Sequence, residues 1–130
     1  MNIVATISDF EDIEIVIPGG LLRKKSMSLI GPLSEAGISN FYADKVFLGV
    51  DGIDATYGIT TPNMEEAHLN RLMIEKSKEV FVVTDSSKFG KRSMALITGL
   101  EDIDTLITDR QIPEEQKALC LSKKVNVITV

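Results

Sequence analysis

Five short runs rich in β-branched residues, at 13–17 (IEIVI), 46–50 (VFLGV), 80–84 (VFVVT), 105–108 (TLIT) and 125–130 (VNVITV), limit the fold of this 130-residue chain more than any other feature. Several are apolar at odd and even positions alike, which is how a strand covered by helices on each face reads. The segments between them have helical character. Residues 32–39 open on Pro32, residues 62–77 open on Pro62 with Thr61 placed as a cap, and residues 113–122 begin Pro-Glu-Glu, with acids at the positive helix end. Strands alternating with helices predict an α/β fold with a largely parallel sheet and helices on both sides. Residues 21–31 break the rhythm: Met27 and Leu29 alternate with Ser26 and Ser28, predicting a short extended or hairpin excursion after Gly19-Gly20. Residues 2–10 read as the remains of a helix whose preceding strand is missing, so the chain is expected to start inside a fold.

One domain is expected at this length, and an apolar fraction of 44% is enough for a core without disulfides or metal. No run approaches the ~18 apolar residues of a membrane helix, and the start MNIVATISDF lacks the pattern of a signal peptide, so a cytoplasmic chain is expected. The net charge of −5, with Arg23-Lys24-Lys25 as the basic triplet, argues against a nucleic-acid surface. Five Phe and two Tyr, scattered and without Trp, form no stacking platform. Cys120 is the single cysteine and His68 the single histidine; each is expected to serve in packing or hydrogen bonding, and no metal or cofactor is expected.

A parallel α/β sheet binds ligands in the crevice at the carboxyl ends of its strands. Here Ile17 runs into Pro18-Gly19-Gly20, Val50 into Asp51-Gly52-Ile53-Asp54, Thr84 into Asp85-Ser86-Ser87-Lys88, and Thr108 into Asp109-Arg110. Asp51 and Asp54 flank a flexible glycine and suit sugar hydroxyls, which donate to charged acceptors. Asp85, Ser86, Ser87 and Lys88 put a carboxylate, two hydroxyls and an ammonium in one loop, a set able to hold a hydroxylated phosphate ester. Gly19-Gly20 permits close backbone approach to an anion. The same residue types also make ordinary turns and helix caps, and the spacing alone leaves both readings open.

The strings PGGLLRKKSMSLIGP, DKVFLGVDGID, GITTPNMEEAHLNRLMI, VVTDSSKFGKRSMALI and IDTLITD, spanning residues 18–109, resemble the C-terminal effector domain of the DeoR family of bacterial transcriptional regulators. Within it, LLRKKS and TPNMEEAHLNR are similar to regulators of N-acetylgalactosamine and galactosamine use. The resemblance implies a fold shared with ribose-5-phosphate isomerase, glucosamine-6-phosphate deaminase and coenzyme A transferases. It also implies a phosphorylated sugar, here an amino-hexose phosphate, bound at the strand ends to release a repressor from its operator. The family's Asp-x-x-Lys motif falls on Asp85 and Lys88, and its Gly-x-Asp-Gly segment on Gly49, Asp51 and Gly52. Asp54 matches the second acid of the isomerases, the glycine pair falls on Gly19 and Gly20, and the Glu-Glu-Ala helix start on Glu65 and Glu66.

Two departures matter. The family's N-terminal winged helix-turn-helix and the glycine-threonine phosphate loop do not occur in these residues, so residues 1–130 are expected to be a truncated effector-sensing domain, with operator DNA reached through the missing N-terminal domain. Counting back from Lys88, the isomerase base position falls near Asn70, which takes no proton, so no catalytic residue is expected. An isomerase-like enzyme and an oligomerisation module without ligand response are the alternatives. A homo-oligomer is expected of any regulator of two-fold operators, and the mixed helix at 62–77 is the candidate contact.

Overall fold

The structure is a computed structural model, and it describes residues 2–130. The chain divides into two compact units, one ending at Phe41 and one spanning Tyr42–Val130.

The first unit contains helix α1 (Asn2–Ile7), a hairpin of β1 (Leu21–Arg23) and β2 (Ser28–Ile30), and helix α2 (Pro32–Ser39). The hairpin is antiparallel, with Leu22 opposite Leu29, as the alternation predicts. Its turn closes where Met27 takes a left-handed backbone and donates its amide to the Arg23 carbonyl at 2.8 Å. Helix α2 starts on Pro32, whose missing N–H costs nothing in the first turn. The strand expected at 13–17 does not form: Ile13, Val16 and Ile17 are exposed and the segment carries no strand. Its residues favour extended backbone, but a strand exists through a neighbour that takes its hydrogen bonds, and no described strand pairs with this run.

The second unit holds a four-stranded parallel sheet flanked by helices and a smaller antiparallel sheet. The parallel strands are β3 (Ala43–Gly49), β6 (Ser77–Val83), β8 (Thr105–Thr108) and β9 (Asn126–Thr129), in that spatial order. The antiparallel sheet, which the sequence reading did not anticipate, joins β4 (Gly52–Asp54), β5 (Gly58–Thr61) and β7 (Ala95–Thr98). One face of the parallel sheet places Leu48, Val80, Val82 and Leu106 in a core shared with Ile53 and Ile59 of the small sheet. On the other face Phe47 stacks on Phe81 with ring centroids 4.8 Å apart.

Helix α3 (Met64–Glu75) is shorter than the predicted 62–77. Its cap is Asn63, whose side chain accepts the Glu66 amide at 2.8 Å, and not Thr61; Pro62 precedes the cap instead of opening the helix. Asparagine is the stronger cap, and the Thr61 hydroxyl is engaged elsewhere. The mixed wheel of α3 has a packing cause: the helix meets β5 and β7 of one sheet and β3 and β6 of the other. Arg71, though exposed, donates to the carbonyls of Leu96 and Ile97, at 2.8 and 2.9 Å, and so ties α3 to β7. His68 lies exposed on the same helix. Helix α4 (Glu114–Ser122) has Pro113 at its cap position and buries Cys120, whose thiol pKa is pushed up by burial. Gln116 of α4 accepts the Ala55 amide at 3.2 Å, fixing the helix against the end of β4. Among the described residues no helix is long and apolar enough to cross a membrane.

Candidate functional site

Register places three carboxylates along one edge. Gly49 pairs with Val83, and Val83 with Ile107. Two residues beyond these partners, past the ends of three neighbouring parallel strands, come Asp51, Asp85 and Asp109. Each of the three loops leaving the carboxyl edge of the sheet, where the sequence predicts the ligand crevice, thus has an acid at or next to its start.

Asp85 organises the loop that follows β6. Its Oδ1 accepts the Ser87 amide at 2.9 Å, which turns residues Ser86–Lys88 into a single 3-10 turn. Asp109 grips the same loop from β8: its Oδ2 accepts the Ser86 amide at 2.7 Å while Oδ1 accepts the Gln111 amide at 2.8 Å. Both carboxyls are held below the ordinary value of 3.8, Asp85 chiefly by its hydrogen bonds to Ser87, Asp109 chiefly by the backbone amides of Ser86 and Gln111. Beyond the turn, Phe89 forms an isolated parallel bridge with Ile53, and the Gly90 amide donates to the Ile53 carbonyl at 2.9 Å. These contacts join the segment that follows the Asp85–Lys88 turn to β4, the strand that runs from Gly52 to Asp54. Lys88 is half-buried, and its charge helps to hold the neighbouring Asp85 carboxyl below its ordinary value.

The remaining expected residues divide by what already occupies them. Asp54 is committed to a turn: Oδ1 accepts the amides of Thr56 and Tyr57 at 2.8 and 3.1 Å, and Oδ2 lies 3.6 Å from Nη2 of Arg92. The Arg92 guanidinium stacks over the Tyr57 ring at 3.1 Å from the centroid. Gly52 is a packing position, since a Cβ there would stand 2.5 Å from the Lys91 carbonyl and 2.7 Å from the Thr60 hydroxyl. Glu65 is exposed on the first turn of α3. Glu66 and Asp51 meet at one hydroxyl: the buried Thr61 Oγ1 is 3.1 Å from Asp51 Oδ2 and 3.2 Å from Glu66 Oε2. One hydroxyl proton serves one carboxylate at a time.

Gly19 and Gly20 belong to the first unit and serve it locally. The Gly19 carbonyl accepts the buried Ser34 hydroxyl at 2.6 Å, and Gly20, at φ +137°, takes a backbone that other residues rarely adopt, with no room for a Cβ against Ser34. The convergence described above is therefore among residues of the second unit. Asp109 and Thr61 were missed as site residues by the sequence reading. The sequence marks Asp109 as a strand end and Thr61 as a helix cap, and neither signal by itself assigns a site residue.

A polar cleft of about 390 Å³ opens at the opposite end of the sheet, lined by Arg71, Lys78, Thr98, Asp102 and Asp104 among others. Two of its charged groups already serve the fold: Asp104 Oδ2 accepts the Val80 amide at 2.7 Å, and Arg71 holds β7. Among the described residues no group of three or more His, Cys, Asp or Glu side chains could hold a metal ion.

Residues 1–110 match the family described as the DeoR C-terminal sensor domain. Along all 130 residues the chain is 39% identical to a protein assigned as an aga operon transcriptional repressor of Escherichia coli O157:H7, covering 48% of that protein. It is 38% identical over 118 residues, 91% of this chain and 46% of the relative, to the HTH-type transcriptional regulator GlpR of Haloferax volcanii. It is 33% identical over 113 residues, 87% of this chain and 45% of the relative, to the glycerol-3-phosphate regulon repressor of Escherichia coli K12. The chain spans about half the length of these curated relatives.

Proposed function

The chain belongs to the DeoR C-terminal sensor domain family, and from that premise we propose that it senses a phosphorylated sugar, an amino-hexose phosphate by its closer resemblance, for a DNA-binding transcriptional repressor. The observation that supports this reading is the Ile53–Phe89 bridge, which ties the segment just after the Asp85–Lys88 turn to β4, in the Asp51–Asp54 stretch. The chemistry fits. Carboxylates accept hydrogen bonds from sugar hydroxyls, and the Lys88 ammonium supplies a point charge for a phosphate. One relative carries the name of the glycerol-3-phosphate regulon, itself named for a phosphorylated polyol.

The proposed action is binding without turnover. Asn70, at the position where the isomerase base would fall, offers an amide that accepts no proton in the working pH range. Ligand then acts through populations: it relieves repression to the extent that it binds the arrangement that leaves the operator more tightly than the one that holds it. Operator contact resides in a separate N-terminal domain, and self-association follows from the two-fold form of operators.

Isothermal titration with galactosamine 6-phosphate, N-acetylgalactosamine 6-phosphate, ribose 5-phosphate and glycerol 3-phosphate tests this. At least one is expected to bind, and Lys88→Ala is expected to weaken it about tenfold or more, as loss of a charge-assisted contact does. Absence of binding by all four, or equal affinity in Lys88→Ala, overturns the assignment of this edge as the ligand site.

A further inference from the structure

Two buried hydroxyls, Thr84 Oγ1 and Thr108 Oγ1, have no hydrogen-bond partner among the described residues. They are not scattered. Val82 pairs with Leu106 and Val83 with Ile107, so Thr84 stands opposite Thr108 one step further along the same two strands. The parallel ladder reaches that step, because the Thr84 amide donates to the Ile107 carbonyl at 3.0 Å. Side chains alternate along a strand, and Val82 and Leu106 both lie in the core; Thr84 and Thr108, two residues on, share that face. Thr108 is 2% exposed. On β9 Thr129 pairs with Thr108, and Val50 is the residue that follows the last β3 pairing, Gly49 with Val83.

Native interiors leave few buried polar groups unsatisfied, and those that remain commonly meet an ordered water. Two neighbouring hydroxyls, about one strand spacing apart, with buried oxygens although Thr84 as a residue is half-buried, share one remedy: a single oxygen between them, donating to one and accepting from the other. We propose that Thr84 and Thr108 form a two-hydroxyl seat for one internal water molecule, directly beneath the strand-end row of Asp85 and Asp109. Each threonine is followed immediately by one of those aspartates. The water therefore clamps together the two strand ends from which the carboxylates project, and it does so whether or not a ligand occupies the edge.

A double-mutant cycle with Thr84→Val and Thr108→Val tests the seat, because valine keeps the shape and removes the hydroxyl. With a shared water, each single substitution is expected to lower the folding equilibrium constant about tenfold, and the double variant to fall well short of the roughly hundredfold that independent losses require. Valine variants that raise stability, or effects that simply multiply, overturn the proposal, since hydroxyls without a partner are better replaced by methyl groups. A second measurement serves if a variant fails to fold: in the unaltered chain, Overhauser contacts from a long-lived water to the methyl protons of Thr84 and Thr108 are expected, and their absence overturns it too. Neither measurement involves a sugar phosphate, so the seat and the ligand reading stand or fall separately.

Discussion

Asp109 holds the backbone amide of Ser86: its Oδ2 accepts that N–H at 2.7 Å, joining the end of β8 to the loop that follows β6. The pairing spans 23 residues of sequence and uses one oxygen of the carboxylate, while the other caps the turn at Gln111. A group that serves two strand ends at once fixes the geometry of the edge between them. The loop bearing Asp85 and Lys88 is thus positioned from three directions: by its own Asp85, by Asp109, and by the bridge of Phe89 to Ile53.

Removing the Asp109 carboxylate should loosen that loop without unfolding the core. In Asp109→Ala the part-buried Ser86 amide loses its acceptor, so its hydrogen exchange is expected to quicken severalfold while amides of β6 such as Val82 keep their protection. Unchanged exchange at Ser86 would show that the loop is held by Asp85 and the Ile53–Phe89 bridge alone.

Acid should have the same effect reversibly. Both carboxyls titrate below 3.8 in the folded chain, Asp85 through Ser87 and Asp109 through the amides of Ser86 and Gln111. A depressed carboxyl binds its proton less readily folded than unfolded, so its stabilisation is complete above about pH 4 and is lost as pH falls through the folded value. Carbon-13 titration of the two side-chain carboxyls is expected to give midpoints under 3.8, with the Ser86 and Ser87 amide shifts moving in step. Midpoints at or above 3.8 would contradict the hydrogen-bonded arrangement.

Much of this edge is legible in the sequence, and the parts that are not have physical causes. The parallel strands announce themselves because a strand buried by its neighbours must be apolar, as in VFVVT and TLIT. Helix α2 coincides with its predicted 32–39 because Pro32 marks its first turn. Run 13–17 has the same composition but lies unpaired, since propensity does not supply a neighbour. The sheet β4-β5-β7 escapes notice because three-to-four-residue strands around Gly52 and Gly58 read as turns. Thr61 and Asn63 are both able to cap α3, and only the folded geometry, which engages Thr61 with Asp51 and Glu66, decides between them. The Asp109–Ser86 bond leaves no local pattern at all; the strand-end position of Asp109 was readable, its partner was not.

Gly52 gives a steric prediction. A Cβ at that position meets the Lys91 carbonyl at 2.5 Å and the Thr60 hydroxyl at 2.7 Å, and Thr60 Oγ1 is itself the acceptor for the Ser93 amide at 2.9 Å. Backbone on one side and an engaged hydroxyl on the other leave little room to yield. Gly52→Ala is expected to cost about 1–3 kcal/mol in urea unfolding, the range for overpacking a close-packed site. A variant as stable as the parent would mean that the segment 91–93 moves aside freely.

Thr61→Val tests the meeting of Asp51 and Glu66. Thr61 is 1% exposed, so its hydroxyl is a buried donor, and the two carboxylates that approach it at 3.1 and 3.2 Å gain its dipole. Valine fits the same volume but offers a methyl group, leaving two like charges facing an apolar surface and each other. Hydrogen bonds to charged groups contribute about 1.5–3 kcal/mol, and Asp51, being exposed, recovers part of its loss from water. The expected destabilisation is therefore about 1–2 kcal/mol by urea unfolding, with Thr61→Ser retaining the carboxylate contacts and losing mainly the packing of one methyl, ~0.8 kcal/mol. If valine proves as stabilising as threonine while serine does not, the position is governed by its methyl group, and the hydroxyl has no part in holding Asp51 and Glu66 at the strand-end edge.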